Sequence, residues 1–203
     1  MYLSDILIRT LSGFVWIVFI LMFWFHLKPR KSSLHQLATY IFGFYLIGVF
    51  VMTGIGKLGE FSLEWAWPPF ESWNQSGSLS SRFLESFLNI VLFFPLGFFL
   101  PLLYRFNRSF FLTLLTGFLF SLSIECLQMF SRGISDVSDL FCNTLGTALG
   151  FFFFWLLARK INFRSFLAPI KQGRWEEALL FISCLLVMIT IQPWFIGTLF
   201  NLG

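Results

Sequence analysis

The chain has 203 residues, of which 57% are hydrophobic and 12% charged, and a formal net charge of +4. Soluble domains carry about a quarter charged residues, so this composition excludes a water-soluble globular fold and indicates an integral membrane protein. The positive balance is not a nucleic-acid signature, because the cations fall in connections between apolar runs, where they meet anionic headgroups.

Uncharged runs mark the spans, each close to the ~20 residues that cross a bilayer as a helix. The first, Thr10 to Leu27, is followed at once by Lys28-Pro29-Arg30-Lys31. That is a stop-transfer flank with no small-residue cleavage site before it, so the run is expected to remain as a first span. A second covers Gln36 to Gly56. The connection from Lys57 to Glu85 holds Trp65, Trp67, Pro68, Pro69, Phe70 and Trp73, then a Ser/Gly stretch from Ser76 to Ser81. Trp favours the headgroup level and Pro68-Pro69 stops a helix, so a surface loop with an interfacial turn is expected, as an aromatic anchor in preference to a lid. The third span is Ser86 to Tyr104; the fourth, Ser109 to Ser131, is interrupted only by Glu125; the fifth is Leu140 to Ala158. A sixth begins at Ala178, and Pro193 and Gly197 are expected to break its second half. The Phe excess, including Phe151 to Phe154, reads as lipid-facing bulk, and no internal repeat supports an inverted-repeat transporter.

The expected fold is an all-α polytopic membrane bundle of about six transmembrane helices. Lys28, Arg30 and Lys31, then Arg105 and Arg108, then Arg159, Lys160, Arg164, Lys171 and Arg174 fall on one side, which the positive-inside rule makes cytoplasmic. Both termini then face outward. Three blocks follow: residues 1–81 with two helices and the Trp-rich loop, 82–158 as a three-helix core, and 159–203 as a basic loop and a final helix.

Cys126, Cys142 and Cys184 all fall within spans and read as small apolar residues, not as a disulfide framework. His26 and His35 flank the first basic loop and are expected at the interface. No CxxC or His-rich spacing suggests zinc, and no cofactor is expected.

The chemistry concentrates between Ile124 and Gly150, where ionisable groups stand at or near membrane depth. Such groups cost roughly 2.5–3.5 kcal/mol each at a helix centre, which makes them functional candidates. Arg82, Glu85 and Asn89 share one helical face; so do Glu125, Gln128 and Arg132; so do Asp136, Asp139 and Asn143, continuing as Gly146 and Gly150. Three polar faces at one depth are expected to surround a chamber open to the outside. Ser135 is expected to cap the fifth helix, with Asp136 in its first turn beside the positive end of the dipole. The GxxxG spacing of Gly146 and Gly150 is expected to serve close helix packing.

These residues also carry a resemblance. Asn89 with Phe94-Pro95-Leu96-Gly97 and Pro101, then Glu125 and Gln128, then Arg132, Asp136, Asp139, Asn143, Gly146 and Gly150 resemble the VanZ-like family. The likeness covers Arg82 to Leu157; the first two spans and the last carry no matching motif. It implies a multi-pass protein of the bacterial cytoplasmic membrane, in a family named for lowered susceptibility to teicoplanin-type glycopeptides, and it names no substrate or reaction.

Two readings of the chamber stand side by side. As a binding site, Arg132 and Arg82 hold an anionic lipid headgroup or cell-wall precursor, with Asn89, Gln128 and Asn143 as neutral hydrogen-bond partners. As an enzyme, Glu125 is a general acid or base, and Asp136 and Asp139 position a substrate or metal. The structural alternative is that these groups satisfy one another and lock three helices together, a modest return at about 0.6 kcal/mol per interhelical contact. The expected partners are membrane lipids, not nucleic acid.

Overall fold

The computed structural model describes residues 3–27, 32–55, 65–66, 79–130, 135–160 and 174–200; the side chains of 65–66, 79–82, 135–136 and 199–200 lie outside that description. Helix α1 spans Leu3–Leu27 and α2 Ser33–Met52. A two-residue strand, β1 (Trp65–Ala66), precedes α3 (Leu79–Leu103). A 3₁₀ turn at Phe106–Arg108 leads to α4 (Phe110–Gln128), strand β2 (Ser135–Asp136) and α5 (Val137–Lys160). The last segment is α6 (Arg174–Leu186), a π-helical turn (Val187–Ile191) and α7 (Gln192–Phe200). Six segments are long and apolar enough to cross a membrane, the sixth running from Arg174 through the π turn to Thr198. The protein is an all-helical membrane bundle, with β1 and β2 its one strand pair among the described residues.

Charges did not end the helices where the uncharged runs end. Asp5 and Arg9 lie within α1, and α3 starts at Leu79, inside the expected Ser/Gly stretch. At the other end of the chain, α6 starts at Arg174 and takes in Glu176 and Glu177. Pro193 does not break the sixth span but widens it. Proline offers no N–H and its ring collides with the carbonyl four residues back, and the π turn directly before α7 accommodates that collision.

Two caps define α2. Ser32 has extended backbone, and its side chain accepts from His35 N–H at 3.2 Å. At the far end Gly54 adopts φ +78°, Gly54 N–H donates to Val51 O (3.1 Å) and Ile55 N–H to Phe50 O (3.0 Å), which is a Schellman motif. The glycine is needed there because L side chains rarely adopt that φ. The helix therefore stops at Met52, and the Thr53 carbonyl is left available to another element.

Helices α3 and α5 form the closest seam. A Cβ on Gly150 would collide with the Phe94 carbonyl oxygen, one on Gly146 with that of Ile90, and one on Gly97 with that of Thr147. Glycine from both sides thus brings the backbones together, as the GxxxG spacing required; in a membrane such packing replaces the hydrophobic effect as the force that joins helices. Phenylalanine is divided between lipid and core. Phe152 and Phe153 face outward, whereas Phe154 is buried, and Phe42, Phe50, Phe93 and Phe120 stand in the main buried cluster with Leu46, Leu96 and Leu180. Phe42 packs on Phe99 and Phe181, and Phe120 on Phe50, Phe93 and Phe181.

At the basic end, the expectation of an interfacial His35 is overturned. His35 is 1% exposed, and its Nε2 lies 2.6 Å from Glu176 Oε1. Trp24 Nε1 donates to Glu176 Oε2 at 3.4 Å, while Asn107 Nδ2 donates to Glu177 Oε1 at 2.8 Å. These contacts tie the start of α6 to α1, α2 and the 3₁₀ turn. They explain why two acids tolerate burial: each has a polar partner in place.

Candidate functional site

Opposite the basic end, the bundle contains a partly open cavity of about 550 Å³. It lies where α2 and α4 end and α3 and α5 begin. Its polar wall comes from Glu85 and Asn89 on α3, Glu125 and Gln128 on α4, and Asp139 and Asn143 on α5, joined by Thr53 after α2. The three helical faces meet around one space, and each contributes a carboxylate and an amide.

The glycine seam positions the first pair. With α3 and α5 in backbone contact at Gly146 and Gly150, Asn89 Nδ2 reaches Asp139 Oδ1 at 2.6 Å. Asp139 lies in the first turn of α5, where an acid is favoured by the helix dipole. The Schellman end of α2 positions the second pair, since Gln128 Nε2 donates to the Thr53 carbonyl at 3.1 Å. A third contact lies deeper: Asn143 Nδ2 donates to Ser121 Oγ at 2.9 Å, and both residues are buried. Thr147 Oγ1 donates to the Asn143 carbonyl at 3.0 Å within α5. The Asn143 Oδ1 atom is buried and has no hydrogen-bond partner among the described residues. Glu125 is 2% exposed, so it is a carboxyl at the inner end of the wall, not at the rim.

Of the candidates named from the sequence, Asn89, Glu125, Gln128, Asp139 and Asn143 line this cavity. Arg82 is in the first turns of α3, seven residues before Asn89, and its side chain lies outside the described residues, as does the whole of Arg132. Asp136 is placed by its backbone alone. Ser135 and Asp136 do not form the cap and first turn expected of them; they pair in parallel with Trp65 and Ala66, and α5 starts at Val137. The pairing takes the backbone of both residues into an extended conformation, which moves the helix start one residue past Asp136. It also ties the Trp-rich connection to the α4–α5 junction at the cavity end of the bundle; Trp67 through Trp73 lie outside the described residues.

Two contributors were missed in the sequence. Ser121 stands four residues before Glu125 and seven before Gln128, a spacing that puts all three on one face and was readable. Thr53 acts through its backbone, and only Gly54 hinted that α2 would end there. None of the three cysteines is in a disulfide; Cys126 is exposed, and Cys142 and Cys184 are buried. Among the described residues no group of three His, Cys, Asp or Glu side chains is placed to hold a metal ion.

The family model described as VanZ/LLP1 matches residues 13–158. No curated protein and no solved structure matches the chain. The match takes in the cavity-lining parts of α2, α3, α4 and α5. It begins within α1, well before Arg82, so the first two spans, in which no motif was recognised, belong to the family's region as well. The chain belongs to the VanZ/LLP1 family.

Proposed function

We propose that the cavity is an outward-facing binding site for a component of the bacterial cell envelope, in a multi-pass protein of the cytoplasmic membrane. The observation that carries this reading is the convergence of Asn89, Glu125, Gln128, Asp139 and Asn143 on one partly open space of about 550 Å³. That volume is within the roughly 300–1,000 Å³ of ligand sites. A lock between helices needs no such space. The outward assignment follows from charge: Arg105, Arg108, Arg159, Lys160 and Arg174 all sit at the helix ends opposite the cavity.

In this reading the amides orient the ligand, Glu125 and Asp139 set the field of the wall, and Arg82 and Arg132 take an anionic group near the mouth. In this reading, sequestering an envelope component or altering its exposure would be the route to the lowered susceptibility to teicoplanin-type drugs for which the family is named. A second reading, a membrane-embedded enzyme with Glu125 as general acid or base and Asp136 and Asp139 as positioning groups, is favoured by one fact: Glu125 is both buried and on the cavity wall.

The test is a native mass-spectrometric survey of lipids and cell-wall precursors retained by the purified protein, beside Glu125→Gln and Arg132→Ala. An envelope molecule retained by the wild type and lost in both variants supports the binding site. Conversion of that molecule by the wild type alone supports the enzyme. Identical retention in all three proteins refutes both and leaves the helix lock.

A further inference from the structure

The chamber's wall and its rim have different chemistry. On the wall, each amide commits an N–H within the protein: Asn89 to Asp139, Gln128 to the Thr53 carbonyl, and Asn143 to Ser121. A buried acceptor stands beside them. Asn143 is 3% exposed, lines the cavity, and its Oδ1 has no partner among the described residues. Native structures leave few buried acceptors unmade, so this oxygen calls for a donor from a molecule that enters the chamber.

One side of the rim, by contrast, is apolar. Met52, Leu88 and Val91 line the same cavity and are 55%, 51% and 48% exposed. On membrane-spanning helices an exposed apolar face meets acyl chains. The cavity is therefore flanked by lipid between the end of α2 and the face of α3. A polar interior behind a lipid-facing lip suits a molecule with a polar head and an apolar tail.

We propose that the chamber takes the headgroup of an amphiphile from the bilayer through the gap between α2 and α3, and that this headgroup carries hydrogen-bond donors, hydroxyl or ammonium, one of which Asn143 Oδ1 accepts. The proposal rests on the reading of the chamber as an envelope-ligand site; it adds the chemical class of the ligand and its route. A phospholipid or glycolipid head can bring such donors to the interior.

The experiment uses the full-length protein in neutral detergent with an equimolar mixture of four lipids of matched acyl chains: phosphatidylethanolamine, phosphatidylcholine, glucosyl diacylglycerol and phosphatidic acid. Native mass spectrometry reads retention. Ethanolamine and choline lipids share a net charge but only the first has N–H donors, and the expected preference for it is roughly threefold to tenfold, the worth of one hydrogen bond. Retention of the glucosyl lipid shows that hydroxyls serve; retention of the ethanolamine lipid alone shows that ammonium is the source. Equal retention of the choline lipid, or preference for phosphatidic acid, overturns the proposal.

Asn143→Leu should abolish the preference, and Asn143→Asp, which keeps an oxygen at that point, should preserve it. If Asn143→Leu is destabilised, Val91→Trp decides the route, since that side chain lies on the exposed lip: retention of the donor lipids should fall severalfold, and unchanged retention overturns lateral entry. A water-soluble cell-wall fragment held by the wild type, with no lipid held selectively, would sink this inference while leaving the binding site intact. Retention of neither class would sink both.

Discussion

Replacing Gly150 by alanine probes the contact on which the chamber's geometry depends. A Cβ there would collide with the Phe94 carbonyl oxygen and stand 3.0 Å from Phe98 N, so α3 and α5 must separate by on the order of 1 Å to regain ordinary van der Waals distance. Overpacking of this kind costs about 1–3 kcal/mol. Alanine's better helix propensity returns up to about 1 kcal/mol, which leaves a net loss of up to about 2 kcal/mol and a gap of about 1–3 kcal/mol from a glycine replaced without a clash. The same movement would lengthen the 2.6 Å Asn89–Asp139 bond at the chamber wall. Gly197→Ala is the internal control, because a Cβ at that helical position has nothing within 4 Å. Thermal unfolding in detergent micelles, followed by circular dichroism, should place Gly150→Ala several degrees below the wild type and Gly197→Ala at or above it. A Gly150→Ala protein as stable as Gly197→Ala would refute the seam. Gly146→Leu, with a larger side chain against Ile90 O, should fail more severely and lose its monodisperse peak in size-exclusion chromatography.

Other expectations follow from single contacts. Gly54→Ala forces a side chain into a left-handed backbone, which costs roughly 1–2 kcal/mol, and should both lower the melting temperature and weaken ligand retention through loss of the Thr53–Gln128 bond; an unchanged protein would remove Gly54 from the cap. His35→Leu or Glu176→Leu alone strands a buried polar group and should cost about 3–5 kcal/mol, whereas the double replacement should recover much of it; additive losses in that cycle would mean the pair is not coupled. Glu125→Gln should keep membrane insertion and folding but lose ligand retention or activity, and a fully functional variant would take Glu125 out of the mechanism. Arg132→Lys should weaken an anionic ligand although the charge is kept, because bidentate geometry is lost; equal affinity would end that role.

Spacing made much of this architecture readable in advance. The six spans were visible because charge is too costly to scatter through lipid-facing helices, and the three polar faces because residues three and four apart share a helix side. Gly146 and Gly150 announced close packing, although Gly97 as their counterpart across the seam was not evident from its own surroundings. Misreadings arose where a distant partner changes the cost of a residue. Glu176 and Glu177 looked like the boundary of a span, yet they lie within α6 because His35 and Asn107 satisfy them. The same partnership buries a histidine that composition assigned to the interface. Ser135 and Asp136 were read by local capping chemistry, and a strand pairing with residues some 70 positions earlier prevailed. Thr53 entered the chamber through a carbonyl, which no side-chain pattern can show.

The central claim is that the polar chamber opens to the outside of the cell. Its most direct test is thiol labelling at Asn89→Cys, in a chain whose Cys126, Cys142 and Cys184 have been replaced by alanine, with a membrane-impermeant maleimide. Labelling in intact cells, and protection of that thiol by the retained envelope lipid, is the predicted result. Labelling only in inside-out vesicles, or none from either side in a correctly folded protein, would contradict the account.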